Sequence, residues 1–305
     1  MILITGSTGL TGSAVVREFA GKGHPARALV RDPAKTRVWG DVPGIDAVVG
    51  DLLVPGTLAP ALDGIDTVVL ISSADYDMVD AQGNLIDAAI AAGVQRIVKI
   101  SGLGPDLDSE FRFGRYHAQV EQHLQHAPVR WTLLRPSQFM QVYYREVPTM
   151  LADGTLAQPL GESRLAPIDI VDVAAITYRT ATEDGHDSAT YEMTGPEALS
   201  MTEVCAILSE VVGRKIHYVD LSPEEKRERL VAAGVAPHFA DDLDALFRLR
   251  RQGGPESRVR TEVFDALGIR PTPFAEFARR SEKIFLGSSA ADQLWASGWQ
   301  EAQAS

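Results

Sequence analysis

A chain of 305 residues with 45% hydrophobic and 7% aromatic content is long enough to bury one large core, or one core with a smaller lobe. Its formal net charge of -12 repels phosphate backbones and anionic lipid, which argues against nucleic-acid and membrane partners. The single cysteine, Cys205, rules out an internal disulfide and fits a reducing cytoplasm, and no apolar run reaches membrane-spanning length.

The predicted elements begin at once, with no leader ahead of them, so the expectation is a protein neither secreted nor membrane-inserted. Ile2-Leu3-Ile4-Thr5 reads as an apolar strand that runs into Gly6-Ser7-Thr8-Gly9-Leu10-Thr11-Gly12. A helix over about 12–22 follows, with Val15, Val16 and Phe19 on its buried face and Gly21 and Gly23 ending it. A strand that delivers a glycine turn to a helix N-terminus is a site for the diphosphate of a dinucleotide. Gly6 lets the backbone reverse, Gly9 puts no side chain in front of a pyrophosphate, and Gly12 lets the helix pack close to the sheet. The next strand, 26–30, ends at Arg31-Asp32, where a dinucleotide fold reads the adenosine ribose. A guanidinium there grips a 2′-phosphate and favours NADPH, with Lys35 as a second positive charge; Asp32 would instead accept from a free 2′-hydroxyl and admit NADH.

Strands at 47–49, 67–71, 96–100 and 131–134 end in Gly50-Asp51, Ser72-Ser73, Ser101-Gly102 and Arg135-Pro136, and helices fit between them. The clearest helix, 81–92, carries Leu85, Ile86, Ala89 and Ile90 on one face. Apolar strands alternating with amphipathic helices describe an α/β, Rossmann-type doubly wound parallel sheet, whose ligands sit at the carboxyl ends of the strands. Ser72 and Ser73 would therefore lie along the cofactor ribose, or else cap the following helix. Ser101 and Gly102 would lie near the nicotinamide, with residues from Pro136 to Phe139 bordering its ring.

Past Phe139 the rhythm changes. Residues 1–140 are expected to form the NAD(P)-binding domain, with about 165–198 returning to it, and 141–286 a smaller, mostly helical substrate lobe. Its helices are expected at 202–212, 223–233, 237–251, 259–267 and 274–285, with a strand near 216–219. Phe139, Met140, Tyr143 and Tyr144 would wall a pocket for a flat substrate, or else pack a buried hinge. In the helix over 237–251, Arg248, Arg250 and Arg251 follow Asp241, Asp242 and Asp244 as a solvated charged face. Cys205, beside Val204, Ile207 and Leu208, reads as a small buried hydrophobe. The tail, 287–305, has Trp295 and Trp299 at helical spacing but no Lys or Arg, and is expected to be disordered or loosely docked.

Several ordered motifs resemble one family. They are the glycine turn, Arg31-Asp32, Gly50-Asp51-Leu52, Tyr116-His117-Ala118-Gln119-Val120-Glu121, Leu134-Arg135-Pro136-Ser137-Gln138-Phe139-Met140, Pro167-Ile168-Asp169-Ile170-Val171-Asp172-Val173-Ala174 and Tyr191-Glu192-Met193-Thr194-Gly195-Pro196. Together they resemble the NmrA-like, atypical short-chain dehydrogenase/reductase proteins, over the chain as far as Phe285. That family includes NAD(P)H-dependent quinone oxidoreductases, relatives of isoflavone reductases, and non-catalytic redox sensors. The resemblance implies that Asp51 accepts from the adenine amino group while Leu52 packs the ring.

None of the seven tyrosines is followed four residues later by lysine, so the Tyr-x-x-x-Lys pair of classical members is absent. By resemblance to the isoflavone-reductase branch, His117 stands at that branch's catalytic lysine and would donate a proton as hydride arrives; otherwise it is a surface histidine bonded to Glu121. Ser101 is a second catalytic candidate, because a serine near this point polarises a substrate carbonyl in the wider superfamily. His123 and His126 lack the further ligands a metal site requires, so no metal is expected. The expected activity is NADPH-preferring hydride transfer to a quinone or related conjugated carbonyl of a small aromatic molecule, by a monomer or homodimer. The alternative is a sensor that binds NAD(P) without turning it over.

Overall fold

The computed structural model describes residues 1–288; the Trp295 and Trp299 expectation lies outside the described residues. In chain order come β1 (Ile2–Ile4), α1 (Leu10–Gly21), β2 (Ala26–Val30), β3 (Ile45–Val49), α2 (Leu58–Leu62), β4 (Thr67–Leu70), α3 (Met78–Ala91), β5 (Arg96–Ile100), α4 (Arg112–His126) and β6 (Arg130–Pro136). They are followed by α5 (Val147–Asp153), β7 (Thr155–Gln158), β8 (Arg164–Leu165), α6 (Ile170–Thr182) and β9 (Ala189–Met193). The last described elements are β10 (Leu199–Ser200), α7 (Met201–Val212), β11 (His217–Asp220), α8 (Pro223–Ala232), α9 (Pro237–Arg251), α10 (Glu262–Leu267), α11 (Phe274–Arg280) and α12 (Glu282–Phe285).

Two compact units emerge. The first comprises residues 1–109, 113–135 and 170–192, and the second 110–112, 136–169 and 193 onward. The seven-stranded sheet runs in the order β3-β2-β1-β4-β5-β6-β9. Its strands are parallel, from Ile2 opposite Ala26 and Thr67 outward to Ile97 opposite Trp131. One face is covered by Leu58, Leu62, Leu85, Ile86, Val120 and Leu124 of α2, α3 and α4, packed on Leu3, Leu29, Val68, Ile97 and Leu133. On the other, α1 packs on α6, with the Phe19 and Tyr178 rings 5.1 Å apart. The central strands are buried throughout, because parallel strands covered on both faces hide every side chain. The edge strands β3 and β9 are less covered, with Val49 of β3 58% exposed.

The chain order reverses at β1. From there β2 and β3 extend one way and β4, β5 and β6 the other, and in such sheets the crevice at that switch point holds the ligand.

The second unit has its own core, in which Met140, Tyr143, Tyr144 and Met150 pack on Leu156, Cys205, Leu208, Phe274, Phe277 and Phe285. Cys205 is buried there, and desolvation pushes its thiol up to about 12. Two helices differ from expectation. The helix expected over 259–267 starts at Glu262, because the Arg260 backbone is tied to Thr194, its N–H donating to Thr194 Oγ1 and its carbonyl accepting from the Thr194 N–H. The helix expected over 274–285 is interrupted at Ser281, whose hydroxyl meets the Tyr144 hydroxyl at 2.7 Å.

Candidate cofactor and active site

The glycine turn closes on itself at the end of β1. Gly6 has a φ of +56°, and a Cβ there would also crowd the Ile71 carbonyl at 2.8 Å. A Cβ on Gly12 would collide with the Gly6 carbonyl and stand 2.8 Å from Ser7 Cα. The close approach that Gly12 permits is of α1 to the backbone leaving β1. The buried Thr5 hydroxyl donates to the Ile71 carbonyl at 2.7 Å and accepts from the Ile71 N–H, tying β1 to the exit of β4. Helix α1 starts from Gly9 without a side-chain cap or an acidic residue in its first turn. The N–H groups of Leu10, Thr11 and Gly12 precede the first intrahelical donor, Ser13, whose N–H bonds the Gly9 carbonyl at 2.9 Å, so the helix dipole's positive end is open to an anion.

Around this turn the expected cofactor residues divide. Thr8, Gly9, Leu10 and Thr11 are part-exposed along it. The Ser7 hydroxyl is committed elsewhere, donating to the Leu29 carbonyl at 2.7 Å, while the Trp39 indole N–H donates to the Ser7 carbonyl at 2.7 Å. Ser7 can therefore contribute only backbone. Arg31 is exposed directly after β2, and Lys35 is part-exposed in the 3₁₀ turn Pro33–Trp39. Asp32 caps that turn, its Oδ1 accepting from the Ala34 N–H at 2.9 Å, which occupies one of the oxygens that would have read a free ribose hydroxyl. Asp51 Oδ1 accepts from the Leu53 N–H, so one carboxylate oxygen shapes the turn.

At the end of β4, Ser72 Oγ donates to the Ser73 carbonyl and accepts from Gln82 Nε2 at 2.8 Å. The alternative of helix caps fails for both serines, because α3 starts after Asp77. Gln82 was not anticipated. Its amide is 1% exposed, and its Oε1 has no partner. At the end of β5 the Ser101 N–H bonds the Leu134 carbonyl at 2.7 Å, while its buried Oγ has no partner. Buried polar atoms are nearly always paired, so two orphans, one after β5 and one on the α3 residue bonded to Ser72, are a signature of a ligand site.

In the alternative of a surface His117 bonded to Glu121 the bond is overturned, while the residue is part-exposed. His117 Nδ1 lies 3.1 Å from Nζ of Lys99, whose side chain is fully buried in β5. Glu121 instead receives Arg135, with Nε–Oε1 at 3.1 Å and Nη2–Oε2 at 2.5 Å, and Arg135 reaches Glu192 at 3.5 Å. Burial, reinforced by the Lys99 charge, holds the imidazole well below its ordinary pKa, so His117 is neutral. Burial lowers Lys99 to about 7, against the attraction of Glu121 and with the repulsion of Arg135. The titrating group near neutrality is therefore the lysine, not the histidine. Sequence reasoning missed Lys99 although a signal was present, a cation inside the otherwise apolar run Ile97-Val98-Lys99-Ile100. The imidazole lies against Gly102, where an added Cβ would sit 3.5 Å from Nε2.

In the second unit, Met140, Tyr143 and Tyr144 are 1%, 2% and 6% exposed, which corrects their assignment to a substrate wall. Tyr143 packs edge-on to Phe274 and Tyr144 stacks on Phe277, and burial raises both phenols. Pro136 is buried, and Phe139 is part-exposed and bridged to Ile168. In α9, Arg248 and Arg251 lie on a solvent-facing charged face, where Arg248 pairs with Asp244 and Glu224 and Arg251 with Asp220, while Arg250 is largely covered against Glu256. His123 bonds Asp87 and His126 bonds the Gln122 carbonyl, and no metal-ligating cluster occurs among the described residues. No helix among the described residues is long and apolar enough to cross a membrane.

The NmrA-like family model matches residues 1–278. The chain is 35% identical over 287 residues to an NAD(P)H azoreductase from Xenophilus azovorans, covering 93% of this chain and 99% of the relative. Among solved structures it is similar to the NADPH-dependent quinone oxidoreductase of Escherichia coli complexed with NADPH, with a TM-score of 0.82, 29% identity and coverage of 92% and 99%. It is likewise similar to the Citrobacter sp. triphenylmethane reductase complexed with NADP(H), with a TM-score of 0.81, 25% identity and coverage of 92% and 100%. With nearly the whole described chain matched, the protein belongs to the NmrA-like family.

Proposed function

We propose that this chain, an NAD(P)H-dependent oxidoreductase, prefers NADPH and passes hydride to a quinone or related conjugated carbonyl of a small aromatic molecule. The carrying observation is the coincidence, in the first unit, of an uncapped helix N-terminus at the switch point with two unpartnered buried atoms, Ser101 Oγ after β5 and Oε1 of Gln82, an α3 residue whose amide nitrogen bonds Ser72 after β4. Relatives named as azoreductase and quinone oxidoreductase support the general reaction.

The residues present fit the cofactor. The turn from Gly6 to Gly12 and the N-terminus of α1 would hold the diphosphate, with Arg31 and Lys35 on the 2′-phosphate. The second oxygen of Asp51 would accept from the adenine amino group beside Leu52, and Ser72, Ser73 and Gln82 would line the ribose. Ser101 and Gly102 would border the nicotinamide. When bound, the cofactor supplies the hydride. Accepting a hydrogen bond from the Lys99 ammonium at Nδ1 keeps the hydrogen of neutral His117 on Nε2. That N–H would bond the acceptor oxygen as negative charge develops there, with the Ser101 hydroxyl as a second donor. A quinone is already a good hydride acceptor, so positioning and these donors suffice without a Tyr-x-x-x-Lys pair.

The test is NADPH consumption over a quinone panel, with His117→Ala as the control. Turnover above the uncatalysed rate that falls in the variant is expected. Tight NADPH binding with no acceptor consumed would favour the sensor alternative.

A further inference from the structure

We propose that Lys99 is the proton reservoir of the reaction, a buried ammonium that recharges His117 from behind as the imidazole gives its outer proton to the reduced acceptor; this rests on the oxidoreductase reading above. The geometry is a two-member chain. Lys99 Nζ and His117 Nδ1 are 3.1 Å apart, and the opposite ring nitrogen lies against Gly102, the residue that follows Ser101 with its orphan hydroxyl. Side-chain alternation puts Lys99 on the same sheet face as Ile97, the face covered by α4, and not in the solvent. A fully buried lysine is costly unless it has a task or a full set of partners. Here Glu121, the nearby carboxylate, is engaged by Arg135 and leaves the ammonium an imidazole as its bonded partner.

The balance closes. Hydride brings two electrons and one hydrogen to the acceptor, leaving an anionic oxygen. An O–H bond forms there as the Nε2–H bond breaks, while Nδ1 gains a proton from Nζ. The pair ends as neutral amine and neutral imidazole. A solvent proton arriving at Nε2 pushes the Nδ1 proton back to Nζ, restoring the starting state without a ring flip. The charged and titratable groups acting on Lys99 are His117 and Glu121 of α4 and Arg135 of β6. The α3 carboxylates act elsewhere, Asp87 on His123 and Asp80 in solvent. Poised at about 7, the ammonium can both give up a proton and recover it at neutral pH.

Lys99 acts through His117, so the test reads the pair itself as well as turnover. In the substrate-free protein, lysine 13Cε NMR should show one resonance titrating near pH 7 that disappears in Lys99→Met, and 15N shifts should report the Nε2–H tautomer of His117. With NADPH and an accepted quinone, kcat should fall as pH rises above about 7. Lys99→Met should lower kcat tenfold or more at pH 6.5, flatten that fall and leave KM for NADPH unchanged. No added loss is expected when it is combined with His117→Ala. A wild-type pH profile in Lys99→Met, or no lysine titrating below pH 9, overturns the relay while leaving the oxidoreductase reading standing. An intact titration in a protein that turns over no acceptor defeats the oxidoreductase reading, and the relay with it.

Discussion

The strand ends of the first unit and the interior of the second use polar residues in opposite ways. In the second unit each motif is closed by protein. Asp169, fully buried, accepts from Gln141 and pairs with Arg280. Glu256 binds Arg250 and accepts from the Gln138 N–H at 2.8 Å. Gly195 lies so close to Pro167 that a Cβ would collide with its carbonyl oxygen. Around the first unit's sheet the polar groups stay open: an uncapped helix after β1, orphan atoms on Ser101 after β5 and on Gln82 of α3, and a buried amine of β5 facing an imidazole of α4. Both sets contribute to the same family signature. A motif that ends in satisfied partners is architecture, and one that leaves buried atoms unsatisfied marks a ligand.

The contrast can be broken most decisively at Gly12. Gly12→Val pushes a branched side chain into the Gly6 carbonyl, and loss of all measurable NADPH binding by calorimetry is expected even where soluble protein is recovered. Gly195→Ala should act on the other side of the comparison, lowering stability by about 1–3 kcal/mol in urea melts while the NADPH Kd of the folded fraction holds. A changed Kd would place that motif at the ligand.

Lys99 sharpens the contrast through pH. A lysine whose folded pKa is depressed opposes folding fully below the folded value, and the cost fades as pH rises from about 7 toward the ordinary lysine value. Lys99→Met should therefore raise Tm most near pH 5–6 and least near pH 10; an equal gain at both would mean that the amine titrates normally in the fold. A smaller effect is expected for Arg31→Ala, which should weaken NADPH by roughly 1–3 kcal/mol and NADH much less. Equal weakening would remove Arg31 from the 2′-phosphate site. Ser101→Ala is the mildest test. Since no protein bond is lost, stability should hold within about 0.5 kcal/mol while kcat/KM falls, whereas a stability loss would reveal a structural hydroxyl.

Local pattern carried the fold a long way. The run from Ile2 to Gly12, the strands at Ala26–Val30 and Arg96–Ile100, and helix α9 at Pro237–Arg251 follow from periodicity and glycine punctuation. Such signals reside within ten or fifteen residues, and so did the family signature. Tertiary structure decided which polar groups face protein and which face a ligand. Nothing in the local sequence distinguishes Ser7, spent on Leu29, from Ser101, which has no partner, because the deciding atoms come from other strands. Tyr143 and Tyr144 read equally as a substrate wall or as core until α11 closed over them. Lys99 is the sharpest case. Its cation stood out in an apolar strand, yet its meaning depends on a histidine 18 residues away and on an arginine that engages the nearby Glu121 carboxylate, neighbours that only the folded sheet brings together.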